Sequence, residues 1–301
     1  MELRQLKYFL RTVETLNFSL AAKELFITQS TLSQQILHLE QELDQQLFER
    51  NSHQVILTEA GQMLLPLARK TVNDSEACKQ RILDLKGLET GELNIGVTFS
   101  FSGITNETMV DFLKKYPKIK INVRYDSMST LIGKLLKHEL DFVLAFKPSA
   151  NYNNIESHLL FNNRLAAIVN EYHPLVGKKS VTLDELEDYD LALPSYGLQA
   201  RNAFDRIIEG KGHNYRIKVE INNVHMLFSF VRNTQYVTVL SESTVLNEQG
   251  LKAVRIDEPG NGMDGCIHTL KDSYLKNSAK EFIRMLSRST AILQNSTLAN
   301  I

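Results

Sequence analysis

The sequence has little cysteine and no long apolar run. Cys78 and Cys266 lie far apart and in no metal-ligand or redox spacing, so both are expected to be buried thiols. No stretch approaches the roughly 20 apolar residues that would span a bilayer. The N-terminal segment MELRQLKYFL is charged and amphipathic, without a signal-peptide core or cleavage site. These absences predict a cytoplasmic protein that does not enter membranes.

An excess of positive charge is also missing. The chain has 34 Lys and Arg against 35 Asp and Glu, a net charge of −1 at pH 7. The first 90 residues are no more basic than the rest. Any contact with nucleic acid must therefore come from locally placed groups and not from a global basic field.

The motifs of common enzyme classes are absent. The chain contains no GxSxG, Walker loop, HExxH or GxGxxG. Ser195 lies in LPSYG, which is not a nucleophile elbow, and no two histidines stand four residues apart as metal ligands on a helix would. The sequence therefore predicts no catalytic residue, no metal and no cofactor.

What is present divides into three regions. With 301 residues, of which 43% are hydrophobic and 23% charged, the chain is long enough for about two globular domains. Residues 1–58 read as short helices, with Ser19 and Thr28 as the expected N-caps of the second and third. Residues 59–90 read as a linker helix capped by Thr58. Residues 91–301 alternate between strands and helices, which predicts an α/β module with largely parallel sheets and a C-terminal helix over residues 273–293.

The linker helix carries a heptad seam. Its positions 64, 68, 71, 75, 78, 82 and 85 read Leu, Ala, Thr, Ser, Cys, Ile and Leu. This spacing indicates a dimerisation helix. A helix packed on its own domain is the alternative.

The segment FITQSTLSQQILHLE, residues 26–40, has an unusual outer face. Leu32, Ile36 and Leu39 recur at helical spacing, so one face is expected to be buried. The opposite face carries Ser, Gln and Leu37 and almost no charge. A helix desolvated against base edges needs such groups, since Gln can pair with adenine, Ser can bond base or phosphate, and an apolar group can pack on a thymine methyl. With the preceding helix and tight turn, this pattern predicts a helix-turn-helix.

Residues 50–58, RNSHQVILT, alternate like a short hairpin and would form a wing near the adjacent DNA backbone or minor groove. The start of the third helix can also meet a phosphate. A Ser- and Gln-rich face packed against another domain is the alternative. The predicted DNA-binding residues are Thr28, Gln29, Ser30, Thr31, Ser33, Gln34, Leu37, Arg50, Ser52 and His53.

Residues 18–61 closely resemble the N-terminal domain of the LysR-type transcriptional regulators. The matching pieces are AAKEL, TQSTLSQQI, LEQEL, LFER and LTEAG, in order and at the right spacing. GELNIGV, FLKKYPKIKI, LLKHELDFVLAF, EYHPL and VTLDEL resemble the effector-binding module of the same family. Within the family, ELDFVLAFKP and FSFVRNT look similar to regulators of cyanate-degradation operons.

The resemblance implies a winged helix-turn-helix, a linker helix, and a C-terminal module of two α/β lobes like a periplasmic binding protein. Lobe I would comprise residues 91–161 and 267–301, and lobe II residues 162–266. It also implies double-stranded promoter DNA, RNA polymerase and a small-molecule effector as partners, and a homodimer or homotetramer.

Three loops are expected to form the effector site. Each follows a predicted strand and offers hydroxyls and free backbone N–H groups at a helix start, which suits a small anion. Each serine could instead be a plain N-cap, and Arg201 could form an internal salt bridge. The predicted effector-binding residues are Thr98, Ser100, Phe101, Ser102, Ser127, Ser129, Phe146, Ser195 and Arg201.

The sequence thus predicts a DNA-binding regulator that is not an enzyme. The alternatives are an enzyme with a winged-helix appendage and a non-exported small-molecule-binding protein. Specific retardation of a promoter fragment would separate the regulator from both.

Overall fold

A computed structural model describes residues 1–50, 55–84, 90–148, 152–245 and 248–289, without the side chains of Arg50 and Leu83. The chain divides into two compact units, residues 1–86 and residues 87–301. Each unit has its own apolar core. No helix among the described residues is long and apolar enough to cross a membrane.

The first unit is a helical domain with a two-stranded hairpin. Its elements are α1 (Leu3–Thr15), α2 (Phe18–Glu24), α3 (Gln29–Leu43), β1 (Phe48–Arg50), β2 (Val55–Leu57) and α4 (Glu59–Asp84). Leu6 and Phe9 of α1 are buried against the apolar face of α3. The Phe48 ring of the hairpin packs 5.4 Å from the ring of Phe9, centroid to centroid. The hairpin is thereby held against the helices by the same core.

The helix starts agree with two of the three predicted caps. Thr28 accepts a hydrogen bond from the Thr31 N–H at 3.2 Å, and Thr58 accepts one from the Gly61 N–H at 3.0 Å. The expectation for Ser19 was wrong. The side chain of Asn17 accepts from the Leu20 N–H instead, so α2 begins two residues earlier than expected.

The linker helix α4 packs on its own unit at its beginning. Ala68 is buried in the core shared with α1, whereas Ile82, further along the helix, is 65% exposed. Cys78 is also exposed and Cys266 is buried, so the expectation of two buried thiols was wrong for Cys78. The heptad positions of α4 therefore fall into two parts. The early part, with Ala68, contributes to the domain core, and the later part, with Cys78 and Ile82, is exposed.

The described part of the second unit contains a five-stranded sheet, a four-stranded sheet and a two-stranded pair, together with helices. The first sheet has the order β4-β3-β5-β13-β6 and the second the order β11-β7-β12-β8, with a separate pair β9-β10. An isolated bridge between Leu191 and Val237 joins that pair to the second sheet. The strands of the first sheet are β3 (Gly91–Val97), β4 (Ile119–Tyr125), β5 (Phe142–Phe146), β6 (Ile155–Phe161) and β13 (Gly265–Leu270), with helices α5 (Ser102–Lys115), α6 (Met128–Leu136) and α10 (Asn277–Leu286). The strands of the second sheet are β7 (Leu165–Asn170), β8 (Ser180–Val181), β11 (Thr238–Ser241) and β12 (Leu251–Ile256), and those of the separate pair are β9 (Asp190–Pro194) and β10 (Arg216–Ile221). The helices of this part are α7 (Leu183–Leu186), α8 (Gln199–Ile208) and α9 (Val224–Arg232).

The predicted architecture of a helix-turn-helix followed by a two-lobed α/β module is confirmed, but the expectation of largely parallel sheets was wrong. Strands β3, β4 and β5 are parallel, as are β9 and β10. Strand β13 runs antiparallel to both β5 and β6, and β7 runs antiparallel to both β11 and β12. The chain passes from the first lobe to the second after β6 and returns to the first lobe through β13. Because β13 enters the first sheet from the other lobe, it runs opposite to the parallel strands that are joined by βαβ connections. The last described helix ends at Leu286, before the predicted end at residue 293, which lies outside the described residues.

Candidate functional site

The outer face of α3 carries mainly uncharged polar side chains together with Leu37. Gln34 and Leu37 are exposed on it, while Leu32, Ile36 and Leu39 on the opposite face are fully buried. The alternating burial follows from the 3.6-residue period of the apolar positions. The core therefore fixes the orientation of the helix and leaves Gln34 and Leu37 exposed to solvent.

A cluster of hydroxyl groups stands at the start of α3. The Oγ1 atom of Thr28 lies 3.0 Å from the Oγ of Ser30 and 2.8 Å from the Oγ1 of Thr31. All three side chains are exposed. Hydroxyls and first-turn N–H groups at one helix start form a surface that suits a phosphate oxygen.

The structure brings most of the predicted DNA-binding residues to one surface. Those on α3 or at its start are exposed or, for Ser33, half-buried: Thr28, Gln29, Ser30, Thr31, Ser33, Gln34 and Leu37. Arg50 ends β1, but its side chain is not described. Ser52 and His53 of the wing lie outside the described residues.

Two residues near this surface were missed in the sequence. Glu40 is buried on α3 and accepts hydrogen bonds from the N–H groups of Leu47 at 2.9 Å and Phe48 at 3.3 Å. It therefore links the polar helix to the hairpin. Phe26, in the turn before α3, is 96% exposed and has a φ of 56°. A carboxylate inside an apolar stripe was the available signal for Glu40, and no sequence signal fixed the exposure of Phe26.

The second unit has a cleft of about 470 Å³ between its two lobes. One wall is built from the loops that follow β3 and β4 and from the end of β5. The other wall follows β9 and β10 and includes Leu240 of β11. Because parallel strands end at the same edge of a sheet, each lobe presents its loops and helix starts to the cleft. The volume falls within the range of small-molecule sites.

Five of the predicted effector-binding residues line this cleft. They are Thr98, Ser100, Ser127, Ser129 and Phe146. Ser127 also caps α6 through the Thr130 N–H at 3.4 Å, so capping and cleft lining coincide at this residue. Thr98 is buried and donates to the carbonyl oxygen of Leu144 at 3.2 Å, which holds the first loop against β5.

Three other predicted residues, Phe101, Ser102 and Ser195, are not among the residues that line this cleft. Phe101 is fully buried, and its ring packs 5.3 Å from that of Phe146. Ser102 begins α5 behind the wall. Ser195 lies between two residues of the wall, Pro194 and Tyr196, but is not part of the lining. Strand alternation explains this last case, since a loop presents only some of its side chains to one side.

Arg201 is a structural residue, so its assignment to the effector site was wrong. Its side chain is 1% exposed, and its guanidinium forms ion pairs with Glu220 and, at 2.8 Å, with Asp205. It also donates to the carbonyl oxygen of Pro194 at 3.2 Å, and the Tyr196 ring covers it with its centroid 3.8 Å from Cζ. A buried guanidinium needs this full set of partners, and the internal salt bridge left open from the sequence is the one that forms.

Gln199 joins the two lobes across the cleft and was not singled out in the sequence. Its Oε1 accepts from the Phe146 N–H at 3.1 Å, and its Nε2 donates to the Phe146 carbonyl oxygen at 2.7 Å. Phe146 ends β5 in the first lobe, and Gln199 begins α8 in the second. A single amide side chain thus satisfies both backbone groups of one residue in the opposite lobe.

The charge of the cleft is carried by one residue missed in the sequence. Among the described residues that line it, Asp126 has the only charged side chain, and no Lys or Arg takes part. Partial burial raises the pKa of the neighbouring Tyr125 from 10 to about 12. Its phenol is protonated at neutral pH and can donate a hydrogen bond. In the described part of the chain, no group of three or more His, Cys, Asp and Glu is placed to hold a metal ion.

Two protein-family models match this chain. The description "bacterial regulatory helix-turn-helix protein, lysR family" matches residues 3–62, and "LysR substrate binding domain" matches residues 86–291. The HTH-type transcriptional regulator YtlI of Bacillus subtilis is 38% identical over 189 residues, which cover 62% of this chain and 61% of YtlI. The chain thus spans less than two thirds of that relative. The RuBisCO operon transcriptional regulator of Allochromatium vinosum is 26% identical, with 86% of each chain covered.

Solved structures share the fold. A full-length OxyR variant from Pseudomonas aeruginosa aligns with a TM-score of 0.73 at 20% identity, covering 98% of this chain and 96% of that one. CbnR in complex with its target DNA aligns with a TM-score of 0.55 at 19% identity, covering 97% of this chain and 100% of that one. The regulatory domain of CcmR from Synechocystis, solved with 2-PG, has a TM-score of 0.60 at 19% identity and covers 66% of this chain and 97% of that one.

Proposed function

The chain belongs to the LysR family of transcriptional regulators, and from this premise we propose that it binds promoter DNA through α3 and responds to a small effector in the cleft. The observation that carries the proposal is the exposed, uncharged face of α3. Its relatives are transcriptional regulators and not enzymes.

We propose that Gln34 pairs with a base edge and Leu37 contacts a thymine methyl group, because both project from the exposed face of α3. The hydroxyl cluster of Thr28, Ser30 and Thr31 would hold a phosphate at the helix start. In this proposal the wing residues Arg50, Ser52 and His53 meet the adjacent backbone. The N-terminal domain would comprise residues 1–58.

The linker, residues 59–90, would pair two chains into a homodimer. The exposed later part of α4, with Ile82 and Cys78, supports this role because the first part of the helix is already used within its own unit. Two paired domains would read half-sites separated by whole helical turns of about 34 Å. Effector modules, residues 91–301, would pair further into a tetramer, and effector-dependent geometry would change the recruitment of RNA polymerase.

The effector would carry an anionic group. The cleft receives the starts of α6, α8 and α9, whose first-turn N–H groups favour negative charge. That CcmR was solved with 2-PG supports a small ligand at this kind of module. The resemblance to regulators of cyanate-degradation operons makes cyanate a candidate anion. The effector can shift the regulator only by its difference in affinity between two states.

The test is a mobility-shift titration of the full-length protein on the DNA beside its own gene and on random DNA. Gln34→Ala is expected to weaken the specific site by roughly 1–3 kcal/mol and to leave non-specific binding unchanged. Gln45→Ala, an exposed glutamine after α3, is the matched control. Equal loss on both DNAs would assign Gln34 to scaffolding, and no specific site for the wild type would refute the proposed function.

A further inference from the structure

We propose that the effector is a zwitterion, an α-amino acid or a close analogue, whose ammonium group pairs with Asp126 and whose carboxylate binds at the start of α8. The inference rests on the proposed function, because it names the ligand class of the same cleft. The helix starts alone indicate only that the ligand carries a negative group. The present inference is that the ligand also carries a positive group.

Asp126 supplies a carboxylate on the wall of the cleft. It follows β4 directly, is exposed and lines the cleft. Its Oδ1 accepts from the Ser127 N–H at 2.7 Å, and among the described residues it forms no salt bridge. A carboxylate has capacity for more acceptor bonds than this one, so Asp126 can still accept from an ammonium group.

The rest of the lining supplies no charge of the opposite sign. Two cations, Lys147 and Arg206, line an adjoining cavity that shares Met128, Ser129, Phe146, Gly197 and Gln199 with this cleft. Tyr125 adds no charge, since a phenol is neutral at neutral pH and burial raises its pKa further, from 10 to about 12. Within the lining of this cleft, a ligand with negative charge alone would meet the Asp126 carboxylate and no cationic side chain, whereas an ammonium group on the same ligand would be attracted to Asp126.

The opposite wall offers a place for the carboxylate. Helix α8 has ten residues, and its N-cap, Leu198, has no side chain that can accept from the first-turn N–H groups. Leu198, Gln199 and Ala200 at this start all line the cleft. The starts of α6 and α9 differ, since Ser127 and Asn223 cap them. The uncapped N–H groups of α8 are thus the ones left for a ligand carboxylate.

The size of the cleft agrees with a ligand of several heavy atoms. One water molecule occupies about 30 Å³ in the liquid, so a triatomic anion would leave most of the roughly 470 Å³ to solvent. Apolar groups of Phe99, Val224 and Leu240 line the cleft beside the polar ones. An amino acid with an apolar or mixed side chain would use both parts of the lining.

The experiment is a thermal-shift screen of the full-length protein with each of the twenty common L-amino acids. Every amino acid that raises the melting temperature is then compared, by calorimetric titration, with the acid lacking its amino group and with the amine lacking its carboxylate. Asp126→Asn keeps an oxygen for the Ser127 N–H and removes only the charge. Asp188→Asn, an exposed aspartate outside the cleft, is the matched control.

We expect at least one amino acid to bind, and its deaminated acid and its decarboxylated amine to bind at least about tenfold more weakly, the scale of one charged hydrogen bond. Asp126→Asn should weaken binding of the amino acid by a similar factor. Its binding of the deaminated acid should be unchanged or tighter. The control variant Asp188→Asn should bind both compounds as the wild type does. Equal binding of the amino acid and its deaminated acid, or binding only of simple anions such as cyanate, would overturn the inference but not the proposed function. Absence of binding by all twenty amino acids would also overturn it. Specific DNA binding by Asp126→Asn shows that the regulator itself is intact.

Discussion

Gln199 is expected to hold the two lobes together, and its removal gives a prediction with a definite size. Gln199→Leu keeps the approximate volume and removes both hydrogen bonds to Phe146, of 3.1 and 2.7 Å. Each such bond contributes a net of about 0.5–1.5 kcal/mol, so the closed arrangement should lose about 1–3 kcal/mol. The loss corresponds to opening that is about 5-fold to about 150-fold more frequent, which hydrogen-exchange mass spectrometry would detect in peptides from β5 and α8.

A second substitution separates hydrogen bonding from size. Gln199→Glu is close to isosteric but, when ionised, cannot donate to the Phe146 carbonyl oxygen, so it should also accelerate exchange. Gln249→Leu, an exposed glutamine of the same lobe, should leave both peptides unchanged. Unchanged exchange in β5 and α8 for both Gln199 variants would refute the view that this side chain holds the lobes together.

Three further predictions concern single residues. In the first unit, Gly61→Ala would place a Cβ 2.3 Å from the carbonyl oxygen of Leu47, so we expect the unfolding free energy to fall by about 1–3 kcal/mol; exchange protection in α1 and α3 like that of the wild type would contradict this. Phe26→Asn should raise that free energy by up to about 1 kcal/mol in denaturant titration, because Asn tolerates the φ of 56° better; a loss of stability would show that the exposed ring has a packing role. In the second unit, the pKa of Glu281 is lowered from 4.5 to about 2, mainly by hydrogen bonds from Arg284. The ionised carboxylate therefore stabilises the fold above pH 4.5, and this contribution is lost as the pH falls to about 2. Melting temperatures of Glu281→Gln should lack that part of the acid dependence, and identical profiles for variant and wild type would contradict the assignment.

The helix-turn-helix could be predicted because its local patterns and its tertiary packing agree. The buried positions of α3 recur at one helical period, and Thr28 is both the expected and the observed cap. Asn17 shows the limit of such reasoning. Asn and Ser are almost equally good caps, so only the packing of Phe18 into the core decides that α2 begins at residue 18 and not later.

The cleft could be predicted only in part. Its loops follow from local sequence patterns, whereas its charged contacts depend on residues that are far apart in the sequence. Ser127 and Ser129 follow a strand and begin a helix, which the sequence displays. The placement of Arg201 depends on Glu220, which is close only after β10 has paired with β9. The contact of Gln199 with Phe146 depends in the same way on the lobes meeting. Long-range contacts of this kind leave no periodic trace in one sequence.

The most direct test of the account is a nuclease footprint of the purified full-length protein on the DNA beside its own gene, with and without a panel of amino acids and small anions including cyanate. We expect protection over more than one helical turn, and this protection should shorten or shift with one ligand of the panel. A specific footprint that no ligand changes would contradict the role of the cleft. The absence of any footprint at low salt would contradict the central claim that the uncharged face of α3 reads DNA.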